Sequence, residues 1–269
     1  MTAQQMHGPA SWEGPARHYG PVERVAVVSD VHANLPALAA VLADLRSGPP
    51  VDLIVSCGDL TWGAQPDETL SLLREFGERL VCIRGNSERA VAEIRAGTRP
   101  AARPREAWVP AQHGAASAEF AATVPFSAVV DVVGLGPVRF CHGSPRSDTE
   151  LVTGATPPER VAELASGIEE RVLVTGHTHL QFDRRVAGLR SVNPGSVGLP
   201  FHEGEPGTAY WVLLGPDVEL RSTRYDVGPA AEAGMRLGDP GAEQISQLLL
   251  SPPSPAQIMD EAERLLFSD

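Results

Sequence analysis

The 269-residue sequence contains no lysine, so all 22 of its basic residues are arginine. The 34 acidic residues outnumber them and give a formal net charge of −12. Proteins bind phosphate backbones through clustered cations, so this balance argues against long nucleic acid as a partner. The densest arginine-rich stretch, residues 95–105, also contains two prolines and is expected to be a solvated linker.

Cysteines and long apolar runs are also scarce. The three cysteines, Cys57, Cys82 and Cys141, form no C-x-x-C pair, which indicates reduced thiols and a cytoplasmic location. No segment approaches the roughly 20 apolar residues of a membrane-spanning helix. Residues 1–20 lack the apolar core of a signal peptide. We therefore expect no membrane partner, and the oligomeric state stays open.

The first half of the sequence alternates apolar strands with helical segments. Residues 1–20 carry Gly and Pro without periodicity and are expected to be a flexible segment. Continuous apolar strands separated by helices are typical of a parallel β-α-β-α-β unit. The strands are predicted at 25–28, 51–56 and 80–83, and the helices at 35–45, 67–76 and 88–95.

The second half changes to shorter strands joined by Gly-containing turns. Residues 129–133 and 138–141 flank such a turn and predict a hairpin. Most of this half is expected to be antiparallel. We predict one α/β domain over 21–226 with a small helical cap at 87–125. A C-terminal helical extension, residues 227–269, is expected to pack on the same domain, with its last helix at 254–267.

Side chains of types that bind metals follow five of the predicted strands, the last of which is an apolar strand predicted at 172–174. They are Asp30, His32, Asp59, Asn86, His142, His177 and His179. Ligand sites in α/β sheets form at the carboxyl ends of strands, and residues at i and i+2 of an extended chain point to the same side. Any one of these residues alone would more often be a helix cap or a loop residue. Together they form an N and O donor set without thiolate, which suits manganese, iron or zinc and suffices for two ions.

Five ordered blocks carry a family resemblance. Asp30-x-His32, Gly58-Asp59, Gly85-Asn86, His142-Gly143 and Gly176-His177-x-His179 together resemble the calcineurin-like metallophosphoesterase superfamily. Residues 29–34, 142–146 and 193–196 are similar to its small bacterial and archaeal phosphodiesterase branch. The resemblance spans residues 23–226 and implies two mixed β-sheets sandwiched between helices.

The resemblance also implies how two divalent ions would be held. The division of ligands is Asp30, His32 and His179 for one ion, Asn86, His142 and His177 for the other, and Asp59 as the bridge. Manganese is the favoured metal, with iron, zinc, nickel or magnesium as alternatives. A hydroxide between the ions would attack phosphorus, and Asp59, Asn86 and His142 would be the catalytic residues.

One position departs from the family pattern. Many members have His directly after Gly-Asn, where it assists the reaction near the leaving group, but this chain has Ser87. The acidic residue that follows is retained as Glu88. Serine is no proton donor at neutral pH, so we expect poor activity on substrates with poor leaving groups. This favours diesters over monoesters.

Further candidates surround the ligand blocks. Arg146 is a candidate clamp for the substrate phosphate, because guanidinium pairs bidentately with phosphate. The alternative for Arg146 is a surface ion pair. Asn34 is a second candidate for substrate binding, with capping of its helix as the alternative. Glu88 and Asn193 are expected to support the metal ligands from behind.

The expected function is that of a metal-dependent phosphodiesterase acting on small diesters, with nucleotides as one candidate substrate class. A phosphomonoesterase or protein phosphatase is the first alternative. The second is a non-catalytic scaffold of the same fold. A scaffold would be expected to have eroded ligands, whereas all seven are present in this sequence.

Overall fold

Residues 16–264 are described by the computed structural model, and two β-sheets run through them. The strands are β1 (Arg17–Val22), β2 (Val25–Val28), β3 (Leu53–Ser56), β4 (Leu80–Cys82), β5 (Ala128–Val132), β6 (Gly136–Phe140), β7 (Val172–Val174), β8 (Gln181–Val186), β9 (Leu189–Pro194), β10 (Thr208–Leu214) and β11 (Val218–Arg224). The helices are α1 (Leu35–Ser47), α2 (Pro66–Arg74), α3 (Asn86–Arg95), α4 (Pro104–Gln112), α5 (Ala115–Thr123), α6 (Pro158–Leu164), α7 (Val227–Leu237), α8 (Ala242–Leu250) and α9 (Pro255–Arg264).

The five-stranded sheet has the order β11-β10-β2-β3-β4. Strands β2, β3 and β4 run parallel, which confirms the predicted β-α-β-α-β unit. Strand β10 extends this sheet by pairing antiparallel with β2, and β11 pairs antiparallel with β10. The carboxyl ends of the three parallel strands therefore lie at one edge.

The six-stranded sheet has the order β1-β5-β6-β7-β9-β8. The predicted hairpin is present as β5 and β6. Strands β6, β7 and β9 run parallel, however, so the expectation of a largely antiparallel second half is wrong at the centre of this sheet. The reason is that α6 lies between β6 and β7 in the chain and provides the crossover that a parallel pair needs.

Strand β2 shows why the sequence forms a layered core. Its side chains are all fully buried and alternate between two faces. Val25 and Val27 lie in the core between the sheets, which also contains Val130 and Val174 of the other sheet. Ala26 and Val28 pack into a second core with α1 and α2. A third cluster lies on the outer face of the six-stranded sheet. This arrangement confirms the predicted fold of two mixed sheets between helices.

The chain preceding β2 corrects one prediction. Arg17–Val22 forms edge strand β1, which pairs parallel with β5, so a flexible segment over 1–20 is wrong for residues 17–20. Gly and Pro suggested irregular chain, but an edge strand tolerates both because one of its sides makes no ladder hydrogen bonds. The pairing register shifts between Tyr19 and Val22, where Gly20 and Pro21 lie. Residues 1–15 lie outside the described residues.

The segment 87–125 is helical and contains α4, α5 and most of α3. Its arginine-rich part connects α3 to α4 and is mostly exposed, as expected of a solvated linker, but two of its arginines are held by hydrogen bonds. The guanidinium of Arg95 donates to the carbonyl oxygens of Pro110 and His113, at 2.8 and 3.0 Å. Arg99 pairs with Glu106 at 3.3 Å. These contacts tie the connection to α4, because the last carbonyls of a helix lack intrahelical partners.

The C-terminal extension begins with α7. Its N-cap is Asp226, whose side chain accepts a hydrogen bond from the amide of Gly228. Helices α7 and α8 form a small apolar cluster with Leu199 and Tyr225 of the preceding domain. The last described helix, α9, begins at Pro255 and is described as far as Arg264; the rest of the predicted helix 254–267, with residues 265–269, lies outside the described residues. Within residues 16–264, no helix is long and apolar enough to span a bilayer.

Candidate metal centre

Five strands deliver the seven predicted ligand residues to one region between the two sheets. Asp30 and His32 follow β2, Asp59 follows β3, Asn86 begins α3 after β4, His142 follows β6, and His177 and His179 follow β7. Strands β2, β3 and β4 are parallel to one another, as are β6 and β7, so the carboxyl ends within each sheet coincide. A hydrogen bond of 3.1 Å from the amide of His177 to Asp30 Oδ2 joins the two sets.

The first cluster consists of Asp30, His32 and His179, whose candidate ligand atoms lie within 4.8 Å of one another. The Nε2 atoms of His32 and His179 are 3.1 Å apart, and His179 Nε2 lies 3.2 Å from Asp30 Oδ1. Asp30 Oδ1 is buried and accepts no hydrogen bond within the described residues. A buried carboxylate oxygen without a donor is costly, and a bound cation would satisfy it.

The second cluster consists of Asp59, His142 and His177, again with ligand atoms within 4.8 Å. His142 Nε2 lies 3.3 Å from Asp59 Oδ1 and 3.1 Å from Asn86 Oδ1. The rings of His142 and His177 have their centroids 4.9 Å apart. Asn86 therefore joins this cluster as a fourth oxygen or nitrogen donor.

Asp59 lies between the clusters. Its Oδ1 faces His142 Nε2 at 3.3 Å, and its Oδ2 faces His32 Nε2 at 3.8 Å. A carboxylate with one oxygen toward each cluster fits the bridging position that a two-ion site requires. The donor set as a whole is oxygen and nitrogen only, which fits hard or borderline divalent cations.

Two histidines are oriented by backbone carbonyls. His142 Nδ1 lies 2.8 Å from the carbonyl oxygen of Cys57, and His179 Nδ1 lies 2.6 Å from that of Leu199. Because a carbonyl only accepts, each Nδ1 carries the proton and donates it. In the neutral form of each ring, Nε2 then has the lone pair that faces the cluster, as a metal ligand must.

The charges of the two carboxylates are maintained by their surroundings. Burial opposes ionisation of Asp30, but His179 and His142 outweigh it and lower the pKa of Asp30. Burial acts in the same way on Asp59, and His142 with His32 holds the pKa of Asp59 well below its usual value. Ionised carboxylates are the form that binds cations.

The imidazoles respond in opposite directions. Burial and the neighbouring His179 lower the pKa of His32 to about 4, with a smaller contribution from Arg105. Burial and His142 likewise lower the pKa of His177 to about 4. Burial also opposes the charged form of His142, but Asp59 outweighs it and raises the pKa of His142 to about 10. The site therefore favours positive charge beside its carboxylates and neutral imidazole elsewhere.

Backbone strain is concentrated at the ligands. Within the described residues, the non-glycine residues with positive φ are Asp30 (51°), His32 (50°), Ala33 (53°), Asp59 (51°), His177 (66°), His179 (58°) and Ala187 (51°). Five of these seven are predicted ligands. Left-handed conformations cost about 1–3 kcal/mol each and persist where the surroundings impose them. Such clustering is typical of a functional site.

Two glycines allow the ligand loops to pack closely. A Cβ on Gly85 would lie 2.1 Å from Asp59 Oδ1, and a Cβ on Gly176 would lie 2.1 Å from Ser29 Oγ and 2.8 Å from Asp30 Oδ2. Neither glycine has a positive φ, so the backbone conformation does not require glycine at either position. Each is required because the ligand carboxylate occupies the space of a side chain.

Glu88 and Asn193 form hydrogen bonds with the loops that carry the candidate ligands. Glu88 is fully buried, and its carboxylate accepts four backbone hydrogen bonds. Its Oε2 accepts from the amides of Asp59 and Gly85, and its Oε1 accepts from the amides of Leu60 and Thr61. Burial and the nearby Asp59 raise the pKa of Glu88. Asn193 donates from Nδ2 to the carbonyl of Gly176 and to the hydroxyl of Thr178. It thereby holds the loop that carries His177 and His179.

The two candidates for substrate binding are engaged elsewhere. The Arg146 guanidinium pairs with the buried Glu150 at 2.9 Å and with Glu163 at 3.1 Å, the ion-pair alternative. Asn34 caps α1 by accepting from the amide of Ala37, and its Nδ2 donates to Gly198 O and to the Tyr225 hydroxyl. The structure gives no support to either residue as a phosphate ligand.

A cavity of about 310 Å³ opens beside the clusters and contains residues that the sequence did not single out. Its walls include His32, Asp59, Asn86, Ser87, Arg89, Arg99, Arg105, Trp62, His179, Phe201 and Leu248. Trp62 follows Asp59 by three positions and could have been found from that spacing. Arg105 and Leu248 come from α4 and α8, which no local motif connects to the ligands. Phe201 stacks on the His179 ring at 5.0 Å.

Comparisons with known proteins agree with this geometry. A sequence profile of the family described as calcineurin-like phosphoesterase superfamily domain matches residues 24–214. The chain is similar to a metallophosphoesterase from Sphaerobacter thermophilus, with 24% identity, a TM-score of 0.67, and coverage of 85% of this chain and 98% of that chain. It is also similar to a hypothetical protein from Pyrococcus horikoshii OT3, with 18% identity, a TM-score of 0.72, and coverage of 86% and 99%. At these identities the likeness to solved structures shows the fold alone. No curated protein matches the chain in sequence.

Proposed function

The chain belongs to the calcineurin-like phosphoesterase superfamily, and we propose that it is a metal-dependent phosphoester hydrolase whose substrates are small phosphodiesters. The observation that carries the proposal is the position of Asp59. One of its carboxylate oxygens faces His32 of the first cluster and the other faces His142 of the second. Family membership implies divalent metal ions, and this carboxylate suits a pair of them.

The proposed ligands divide as the two clusters do. Asp30, His32 and His179 would hold one divalent ion, and His142, His177 and Asn86 the other. When bound, such a pair of ions lowers the pKa of coordinated water and neutralises charge on phosphoryl oxygens. We favour Mn²⁺ because hard oxygen donors and imidazoles are both present and thiolates are not.

The protein itself fixes the geometry before substrate arrives. The Cys57 and Leu199 carbonyls set the ring orientation of His142 and His179. Glu88 holds the backbone amide of Asp59, and the amide of Ser87 donates to Asp59 Oδ1 at 3.0 Å. Preorganised ligands lower the cost of reaching the productive arrangement.

The preference for diesters rests on Ser87. This residue lines the cavity beside the clusters at the position where many family members have His. A hydroxyl does not protonate a leaving group at neutral pH, so esters with good leaving groups are favoured. The cavity volume of about 310 Å³ suits a small molecule. We further propose a cytoplasmic location, because the cysteines are unpaired.

Metal analysis combined with a paired assay tests the proposal. Purified protein loaded with Mn²⁺ would be assayed on bis(p-nitrophenyl) phosphate and p-nitrophenyl phosphate, with metal content measured by mass spectrometry. We expect two ions per chain and faster hydrolysis of the diester. Faster hydrolysis of the monoester would indicate the phosphomonoesterase alternative. Full metal occupancy without hydrolysis of either compound would indicate a scaffold, and failure to bind metal would overturn the proposal.

A further inference from the structure

One arginine in the cavity is placed differently from the other two. We propose that Arg105 binds the phosphoryl group of the substrate beside the metal centre, and that Asp239 of the C-terminal extension holds Arg105 in position. This inference rests on the proposed function and names a specificity-determining residue for it. It also gives the C-terminal extension a part in the substrate site, although the extension lies beyond the matched family region, residues 24–214.

Arg89 and Arg99 have their guanidinium groups committed to neighbouring carboxylates. Arg89 donates to the buried Asp148 from Nε at 2.8 Å and from one terminal nitrogen at 3.0 Å, and its other terminal nitrogen lies 3.5 Å from Glu93. Arg99 pairs through a terminal nitrogen with Glu106 at 3.3 Å. Both arginines therefore have at least one terminal nitrogen committed within the protein.

Arg105 is anchored at the other end of its guanidinium group. Its Nε donates to both oxygens of Asp239, at 3.1 and 3.0 Å. Its two terminal nitrogens make no hydrogen bond within residues 16–264. The side chain is only 23% exposed and lines the same cavity wall as His32. Two terminal nitrogens with parallel N–H groups match two oxygens of a phosphoryl group.

Asp239 is built into the turn between α7 and α8. It is 7% exposed, and its Oδ1 also accepts the amide of Gly241 at 2.8 Å. A Cβ on Gly241 would lie 2.5 Å from Cδ of Arg105. The backbone of Gly241 has φ −102°, so alanine is tolerated there in conformation and excluded only by the Arg105 side chain. The turn is thus shaped around this arginine.

The chemistry of the Arg105 guanidinium group indicates which class of ligand it binds. The Asp239 carboxylate binds Nε of Arg105. The two terminal nitrogens of the planar, permanently charged guanidinium group are left at the edge of a cavity that also contains the candidate metal ligands. An anionic group with several oxygen atoms, bound by the metals, would contact these two nitrogens. Leu248 of α8 lines the same cavity, so the extension contributes an apolar contact as well as the anchor of Arg105.

Binding of inorganic phosphate to the Mn²⁺-loaded protein tests the inference without turnover. Isothermal titration would compare wild type with Arg105→Gln, Asp239→Asn and Gly241→Ala. We expect about tenfold weaker binding for Arg105→Gln, since a charged hydrogen-bonded pair is lost. Gly241→Ala keeps the charge but displaces the side chain, and we expect a loss of similar size. Arg46→Gln, which breaks an exposed ion pair with Glu75, is the matched control and should bind phosphate as wild type does.

A double variant separates positioning from general damage. Because Asp239 acts through Arg105, Arg105→Gln with Asp239→Asn should bind phosphate no more weakly than Arg105→Gln alone. Each variant must retain two metal ions per chain, and Gly241→Ala supplies the same test if Asp239→Asn does not fold. Unchanged phosphate affinity in Arg105→Gln would overturn the inference. Arg146→Gln is measured as well, because Arg146 is the candidate clamp from the sequence, and a loss of phosphate affinity in that variant alone would also overturn it.

Hydrolysis provides the separate check on the proposed function. If wild type cleaves the diester, Arg105→Gln should raise KM about tenfold, which matches the expected loss of phosphate affinity. If wild type cleaves no phosphoester but phosphate binding still depends on Arg105, the proposed function fails while the anion site stands. If wild type cleaves the diester and Arg105→Gln leaves KM unchanged, the anion site fails alone.

Discussion

The carboxylate of Glu88 accepts a hydrogen bond of 3.0 Å from the backbone amide of Asp59, which is 29 residues earlier in the chain and follows a different strand. The same carboxylate accepts the amides of Gly85, Leu60 and Thr61. One buried side chain thus ties the loop after β3 to the start of α3. Asp59, the proposed bridging ligand, and Asn86 at the start of α3 are held in position relative to each other by this contact.

Replacement of Glu88 by Gln should therefore weaken both stability and metal binding. An amide nitrogen would face backbone N–H donors in place of one oxygen, and each unsatisfied buried group costs about 1–3 kcal/mol. Loss of such support typically lowers metal affinity about 10–100-fold. Thermal unfolding and metal titration measure the two effects. Glu93→Gln is the matched control, because Glu93 lies on the same helix and makes only a partly exposed ion pair with Arg89.

Asp59→Asn should reduce the metal content from two ions per chain to at most one. The substitution keeps the shape of the side chain and removes the charge that both clusters share. Asp131→Asn removes a carboxylate from an exposed position of β5 and should leave metal content unchanged. Mass spectrometry of the dialysed proteins gives the stoichiometry. Two ions retained by Asp59→Asn would exclude a bridging role.

Chelation of the metals should lower the thermal stability of the wild type. An ion that binds only the folded state adds about 2.7 kcal/mol when its free concentration is 100 times Kd. We expect EDTA to lower Tm of the wild type by several degrees and to have a smaller effect on Asp59→Asn. Scanning calorimetry with and without EDTA measures both shifts. Equal shifts in the two proteins would mean that the stabilising ion binds elsewhere.

The sequence alone predicted the layered fold and the residues that form the two clusters, because each of these residues follows a strand whose apolar pattern is local. It also predicted that Glu88 and Asn193 would lie beside these residues. It could not predict the contact between Arg105 and Asp239, which joins residues 134 positions apart through a turn without a motif. Edge strand β1 was missed because Gly and Pro interrupt its pattern, and the parallel centre of the six-stranded sheet depends on the path of α6.

Gly176→Ala should perturb the first cluster specifically. The new Cβ would lie 2.1 Å from Ser29 Oγ and 2.8 Å from Asp30 Oδ2, so the hydroxyl and the ligand carboxylate must move. Overpacking of this kind costs about 1–3 kcal/mol. We expect lower Tm and weaker binding of one ion, measured by calorimetry and metal titration. In Gly154→Ala the nearest heavy atom would be Phe182 Cβ at 3.8 Å, an ordinary contact, so this control should match wild type.

Ser87→His should shift the substrate preference toward monoesters. Ser87 lines the cavity and follows the ligand Asn86 directly, so an imidazole placed there would stand beside the substrate and supply the proton that a hydroxyl does not. General acid catalysis contributes about 10²–10⁴-fold where it acts, and it acts most on poor leaving groups. We therefore expect the ratio of kcat/KM for phenyl phosphate to that for bis(p-nitrophenyl) phosphate to rise at least tenfold.

Ser87→Ala is the control for this substitution, because it removes the hydroxyl without adding an acid. It should leave the ratio of the two substrates unchanged, since the contact of residue 87 with Asp59 comes from the backbone amide. A pH profile completes the test: the monoester rate of Ser87→His should fall as the pH rises above the range in which imidazole is protonated. An unchanged ratio in Ser87→His, with metal content intact, would mean that serine at this position does not set the preference for diesters.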